Sequence, residues 1–176
     1  MWRIAPIGDV GGEAVPRQVE AIFFDSAATR SFATEAERAA FRELWLGRYL
    51  RHCPREFLVA MGPGGEAVGY LAGALFSNRE PLPGPDYYDA FPGALIEAYP
   101  AHIHVNVRHD LRGQAVGSAL IEAFRAICLE HGASGFHAVT ATQSRAAAFF
   151  TRCGLDKRAT ADWRGRALAF LAVRVG

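Results

Sequence analysis

The sequence carries no surplus of charge of one sign. Nineteen Lys and Arg stand against eighteen Asp and Glu, a net of +1. A dedicated nucleic-acid binder has a basic excess, so nucleic acid is not an expected partner. Long apolar runs are missing too: none approaches the roughly 18 residues that span a bilayer, and no membrane is expected. The opening residues, Met1-Trp2-Arg3-Ile4-Ala5-Pro6, lack the basic stretch and apolar block of a secretory signal. Cysteine is scarce, and Cys53, Cys128 and Cys153 form an odd, widely spaced set. Such a set fits a reducing compartment better than a disulfide framework. The expected location is cytoplasmic.

What the chain does have is a globular composition, 51% hydrophobic and 21% charged over 176 residues. That length suits one domain, 1–176, burying roughly 70% of its unfolded surface.

Trp2–Ile7 reads as a first strand and residues 15–29 as a helix, with Val15, Val19, Ile22 and Phe23 on one face. Thr34 to His52 reads as a second helix. Thr34 caps it, Glu37 completes a capping box, and Phe41, Leu44, Trp45, Arg48 and Tyr49 follow helical spacing before Pro54. Glu56–Met61 and Ala67–Phe76 read as strands joined by a Gly-Pro-Gly-Gly turn. Residues 77–99 hold four prolines and the aromatics Tyr87, Tyr88, Phe91 and Tyr99. A connection this long is either functional or poorly ordered, and its aromatics favour an ordered lid or a partner surface. Ala101–Val107 alternates, with Ile103, Val105 and Val107 on one face and His102, His104 and Asn106 on the other. Residues 116–130 form the most regular amphipathic helix, closed by Gly132. Gly135–Ala141 reads as a strand, Gln143–Arg152 as a short helix ended by Gly154, and Arg166–Val173 as a last strand.

The informative segment is the turn between the strand ending at Val107 and the helix beginning at Val116. It runs Arg108-His109-Asp110-Leu111-Arg112-Gly113-Gln114-Ala115-Val116-Gly117-Ser118. A strand entering a helix through small residues aims unpaired N–H groups and the positive end of a helix dipole at one point. Gly113 and Gly117 allow close backbone approach, and Arg112 adds positive charge. These residues predict a phosphate or pyrophosphate site. No lysine followed by Ser or Thr comes after the second glycine, so a P-loop does not fit. The motif lies past the middle of the chain, so a dinucleotide fingerprint fits poorly as well.

The same segment resembles motif A of the GNAT superfamily of N-acetyltransferases, R/Q-x-x-G-x-G/A after a strand. Arg112 and Gly117 match its two ends and Gly113 its R-G variant, while Ala115 stands where the family has glycine. Downstream, Ala146-Ala147-Ala148-Phe149-Phe150-Thr151-Arg152-Cys153-Gly154-Leu155 is similar to the family's second signature. A local resemblance of Tyr99-Pro100-Ala101-His102-Ile103-His104-Val105 is to the acetyltransferase-like domain of O-GlcNAcases and its free-standing bacterial relatives.

The resemblance implies an α/β fold: a mixed, mostly antiparallel seven-stranded sheet with helices on both faces, split at the fourth and fifth strands. It implies acetyl transfer from acetyl-CoA, as cosubstrate, to an amine of a small molecule or peptide by direct attack. CoA contact falls to Val105, Val107, Arg112, Gly113, Gln114, Ala115, Val116, Gly117 and Ser118, joined by Gln143, Phe149, Phe150 and Arg152. Arg108 and Arg145, like Arg152, are further candidates for phosphate or ribose contact, though such an arginine is more often a solvated surface residue. His104, His102 and Asn106 are the catalytic candidates, His104 foremost as base; either histidine could instead be a hydrogen-bonded core residue. A His-x-His pair could also bind zinc with Cys153 or His137, but the spacing does not require it, and no metal is expected. The family's tyrosine acid is Phe150 here and its asparagine is Gln143. Phenylalanine has no proton to give, which leaves the leaving thiolate to a water or Thr151. These departures keep open a degenerate acyl-CoA-binding module, or a protein-interaction module using the 77–99 loop. Homodimerisation is open.

Overall fold

A computed structural model describes residues 2–27, 29 and 31–176. The chain contributes β1 (Arg3–Pro6), α1 (Ala14–Ser26), α2 (Glu35–Arg42) and α3 (Arg48–His52), then β2 (Phe57–Met61) and β3 (Ala67–Ala74). After a long connection come α4 (Gly93–Ala98), β4 (Ala101–Val107), α5 (Val116–Glu130), β5 (Gly135–Ala141), α6 (Arg145–Arg152), β6 (Asp156–Trp163) and β7 (Arg166–Arg174). The strands form one mixed, mostly antiparallel sheet in the order β1-β2-β3-β4-β5-β7-β6, with helices around it. The one parallel pair is β4 with β5, in register Ala101↔Phe136 and His102↔His137 at the starts of both strands.

The chain resolves into two compact units. The first comprises Met1–Gly73 with His104–Phe124, the second Ala74–Ile103 with Arg125–Gly176.

In the first unit, α1 buries Val15, Val19, Ile22 and Phe23, the face expected from their spacing. Burying each such side chain is worth about 1.5–3 kcal/mol. Polar ties fix the helices: Gln18 Oε1 accepts from the Ala67 amide at 2.8 Å, and Arg42 meets Glu20 at 2.7 Å. Thr34 caps α2 as expected: its Oγ1 accepts from the Glu37 amide at 3.1 Å, while Glu37 Oε2 reaches back to the Ala33 amide at 3.0 Å. The long helix expected over 34–52 is interrupted, since Glu43–Gly47 winds as a π-helix between α2 and α3. Such wide turns recur beside functional sites. The turn Gly62–Gly65 closes β2 onto β3, with Gly65 at φ +80°. A bulge leaves Val68 as the extra residue of β3, and its carbonyl accepts from the Arg108 amide at 2.9 Å, just past the end of β4. Bulges re-aim backbone near active sites.

In the second unit the 77–99 connection is ordered, with a 3₁₀ turn at Asp86–Ala90 leading into α4. Its aromatics face inward, which corrects the expectation of a partner surface: Leu82, Tyr87, Tyr88, Phe91 and Tyr99 are all buried. Phe91 packs 5.5 Å from Phe170, and Tyr87 meets Trp163 edge-on at 6.0 Å. Asp86 pins the connection to the β6–β7 turn by accepting from Trp163 Nε1 at 3.0 Å and Arg164 at 2.6 Å. Strand β6 was not anticipated. It is a polar edge strand of Lys157, Arg158, Thr160 and Asp162 with small inward residues, paired to β7 alone. Cys128 is buried, as its helical face requires.

Candidate active site

The strand β4 ends at Val107, a 3₁₀ turn follows at His109–Leu111, and α5 starts at Val116. Between them the backbone turns sharply. Gly113 adopts φ +82°, where glycine alone is at ease, and Ala115 is held at φ +62°. The loop is tied from several sides: Trp2 Nε1 donates to the Gln114 carbonyl at 2.9 Å, and Arg112 Nε donates to the Val107 carbonyl at 3.3 Å. Ser118 Oγ donates to the Ala115 carbonyl at 3.0 Å. Val116, Gly117 and Ser118 form the first turn of α5, where amides have no intrahelical acceptor and the helix dipole is positive. Arg112, Gly113, Gln114 and Ala115 are exposed, Val116 and Gly117 buried. The turn therefore offers an anion backbone donors, room and a guanidinium. Arg108 is otherwise engaged, forming a two-pronged pair with Asp110 at 2.8 and 2.9 Å.

Upstream on β4, the three polar side chains on one face have different surroundings. His102, in the second unit, is buried. Its Nδ1 lies 3.0 Å from the Phe76 carbonyl and 2.8 Å from Ser77 Oγ, whose hydroxyl donates to the Pro100 carbonyl at 2.7 Å. A carbonyl can only accept, so Nδ1 carries the ring proton. His104, in the first unit, is half-buried, with Nε2 3.1 Å from Tyr49 Oη and its ring edge-on to Trp45 at 5.2 Å. Asn106 Nδ2 donates to Tyr70 Oη at 2.7 Å. Tyr70 stacks on Phe57 at 5.3 Å, and burial pushes its phenol well above the ordinary tyrosine range, the Asn106 contact opposing weakly.

Val105 and Val107, on the other face of β4, are half-buried. In the second unit, Gln143 is exposed ahead of α6, where Ser144 rather than Gln143 caps the helix, accepting from the Ala147 amide at 3.0 Å. Phe149 is half-buried, Phe150 buried and Arg152 exposed. Thr151, the suggested substitute acid, turns its hydroxyl back onto its own helix, donating to the Ala147 carbonyl at 3.0 Å. Among the described residues no group of three or more His, Cys, Asp or Glu side chains is placed to hold a metal. None of the described helices is long and apolar enough to cross a membrane.

The sequence profile of the Acetyltransferase (GNAT) family matches residues 21–155, spanning both the turn and α6. The chain belongs to the GNAT acetyltransferase family. Solved structures carry the same fold. SsHAT superposes with a TM-score of 0.73 at 20% identity, over 99% of this chain and 98% of its own. Ard1 from Thermoplasma volcanium gives 0.61 at 17% identity, over 99% and 98%. A GNAT phosphinothricin acetyltransferase from Sinorhizobium meliloti, solved in complex with AcCoA, gives 0.63 at 17%, over 99% and 89%. No curated protein matches the sequence. The narrower likeness to the O-GlcNAcase-attached domain rests on Tyr99–Val105 alone.

Within this GNAT chain the tyrosines Tyr49 and Tyr70, and Trp45, escaped the sequence reading as neighbours of the β4 polar face. Tyr49 carried a helical-spacing signal, which reads simply as core. A buried phenol needs a hydrogen-bond partner, but spacing does not say which one.

Proposed function

We propose that this protein transfers an acetyl group from acetyl-CoA, as a thioester cosubstrate, to an amine of a small molecule or peptide. The observation that carries the reading is the Arg112–Ser118 turn, where glycine conformation, a guanidinium and the first-turn amides of α5 converge. An AcCoA-bound relative of the same fold supports it.

Arg112, Gly113, Gln114, Ala115, Val116, Gly117 and Ser118 would hold the pyrophosphate, with Gly113 open to close approach because a Cβ there meets nothing within 4 Å. Ala115 fits less well, since its methyl occupies a conformation that glycine fills better. Backbone N–H groups near Val107 would face the acyl carbonyl and stabilise charge growing on its oxygen. Gln143, Phe149, Phe150 and Arg152 are assigned to the remainder of the cosubstrate. His104 takes the amine's proton. His102, buried and donating from Nδ1 to a carbonyl, serves the β4 scaffold, and Asn106 orders the same face through Tyr70. Phe150 supplies no proton; a thiol of pKa about 8.5 leaves as thiolate without a dedicated acid.

Calorimetric titration with acetyl-CoA beside free CoA tests the cosubstrate. We expect micromolar binding, about −8 kcal/mol, abolished in a folded Gly117→Glu variant. Unchanged affinity in that variant removes the turn from the account. Transfer to a panel of amines, with His104→Ala losing turnover but not acetyl-CoA affinity, tests the base. The second reading, acyl-CoA binding without transfer, is favoured specifically by Phe150 and predicts binding with no acetylated amine. The protein-docking reading loses its aromatic surface, because those side chains are packed inside.

A further inference from the structure

The turn before α5 is held by a residue from the start of the chain. Strand β1 is fixed against β2 in register Arg3↔Met61, and Trp2 stands immediately ahead of it. From there the Trp2 indole Nε1–H donates to the Gln114 carbonyl, 112 residues away, at 2.9 Å. That carbonyl and the Ala115 amide belong to one planar trans peptide, so they point in opposite directions. With the oxygen drawn to Trp2, the Ala115 N–H is turned to the far side of the plane.

The other side of Ala115 is pinned as well. Its carbonyl accepts from Ser118 Oγ and from the Ala119 amide, both at 3.0 Å. Between these anchors Ala115 sits at φ +62°, a conformation that is costly for alanine and not for glycine. A half-turn of the Gln114–Ala115 peptide plane would return Ala115 to negative φ and relieve that cost. It would also swing the Gln114 oxygen to where the Ala115 N–H now points. An anion there would then meet a partial negative charge in place of a donor. Gly113, at φ +82°, and Ala115 flank Gln114. Left-handed residues alternating with ordinary ones curl N–H groups into a concavity that suits an anion.

We propose that Trp2 is a positioning residue for acetyl-CoA, its indole N–H locking the Gln114–Ala115 peptide so that the Ala115 amide faces the pyrophosphate. This rests on the reading of Arg112–Ser118 as the pyrophosphate turn. The lock opposes the flip that the strained Ala115 backbone would otherwise favour. A glycine at 115 would need no such lock, because glycine is at ease with either orientation of the peptide. Trp2 touches the turn and not the reacting atoms, so it acts on cosubstrate affinity.

The test is calorimetric titration with acetyl-CoA of wild type, Trp2→Phe, Ala115→Gly, their double variant and Gly117→Glu. Beside it, the Ala115 amide is followed in ¹H–¹⁵N spectra. In the wild type we expect acetyl-CoA to move the Ala115 amide proton downfield, as a hydrogen bond to a phosphate oxygen does. Trp2→Phe keeps an aromatic ring but has no N–H to give. It should weaken binding about three- to tenfold and diminish the Ala115 shift. In the Ala115→Gly background the same change should cost distinctly less. A wild-type Ala115 amide that does not respond to bound acetyl-CoA overturns the proposal without any variant. Wild-type affinity in Trp2→Phe overturns it too, as does an equal loss in both backgrounds. If Gly117→Glu fails to bind in those cases, the pyrophosphate reading still stands. A wild type that binds no acetyl-CoA, or a folded Gly117→Glu that binds as the wild type does, overturns that reading and this proposal with it.

Discussion

Tyr88 and His137, 49 residues apart, share a buried hydrogen bond of 2.9 Å between Oη and Nε2. The other ring nitrogen, Nδ1, donates to the Tyr99 carbonyl at 2.7 Å, so Nε2 is the acceptor and Tyr88 the donor. His137 is fully buried and stacks on Phe170 at 4.2 Å. The long 77–99 connection is thereby clamped to β5 through a neutral imidazole.

A pH dependence of stability follows. Burial holds His137 down to about 4, against 6.5 for an ordinary histidine, its backbone contacts opposing. Above pH 6.5 neither state is protonated at this site and its stability contribution is complete. As pH falls from 6.5 toward 4 the unfolded chain takes up a proton that the native state refuses, so stability drops, levelling off below 4. The loss is about 3 kcal/mol at 1.36 kcal/mol per unit. Denaturant melts of wild type and His137→Leu over that range check it. The variant is less stable at pH 7, having lost the Tyr88 hydrogen bond and the Nδ1 donor to the Tyr99 carbonyl, and the gap narrows on acidification. A constant gap refutes this role.

The Ala115 backbone gives a second expectation. At φ +62° a residue with a Cβ costs about 1–2 kcal/mol relative to glycine. Ala115→Gly should raise the urea midpoint, by somewhat less than that because glycine also gains freedom in the unfolded chain. The same change should tighten acetyl-CoA binding if the methyl crowds the pyrophosphate. An unaltered midpoint means that the turn is not strained there.

How much of this was legible beforehand depended on the range of the signal. The turn and α5 were readable because periodicity, capping glycine and charge all lie within 25 residues, and the buried Val116, Leu120, Phe124 and Cys128 match the expected face. Strand β6 was invisible because an edge strand needs only one partner and is kept polar: Lys157, Arg158, Thr160 and Asp162 face solvent. The inward direction of Tyr87, Tyr88 and Phe91 was equally hidden, since aromatics in a proline-rich connection suit a surface or a core. Tyr49 with His104 and Tyr70 with Asn106 are separated by 55 and 36 residues. Nothing local in sequence pairs them.

The cap of α6 offers a local check. Ser144 Oγ accepts from the Ala147 amide at 3.0 Å and lies 3.2 Å from Thr140 Oγ1. Ser144→Ala should cost about 1 kcal/mol of stability, measured by denaturant unfolding, while Ser144→Asp, which also caps, should cost much less. Equal losses for both would point to the Thr140 contact instead.

The last expectation links packing to the site. Gly69 sits on β3 beside the bulge, and a Cβ there would come within 3.1 Å of the Asn106 carbonyl, 3.1 Å of Val116 Cγ1 and 3.3 Å of Val107 Cγ2. Those three neighbours are the end of β4 and the first residue of α5, the two sides of the proposed acyl and pyrophosphate sites. Side-chain methyls can turn aside, but the Asn106 carbonyl moves only with the strand. Gly69→Ala should therefore cost about 1–3 kcal/mol of stability. It should also displace the Val107 backbone, so that transfer falls by more than the folded fraction does. Turnover per folded molecule, with the fraction folded read by circular dichroism, separates the two effects. If turnover per folded molecule is unchanged, the end of β4 absorbs the methyl without moving, and the backbone near Val107 is not where the acyl carbonyl is held.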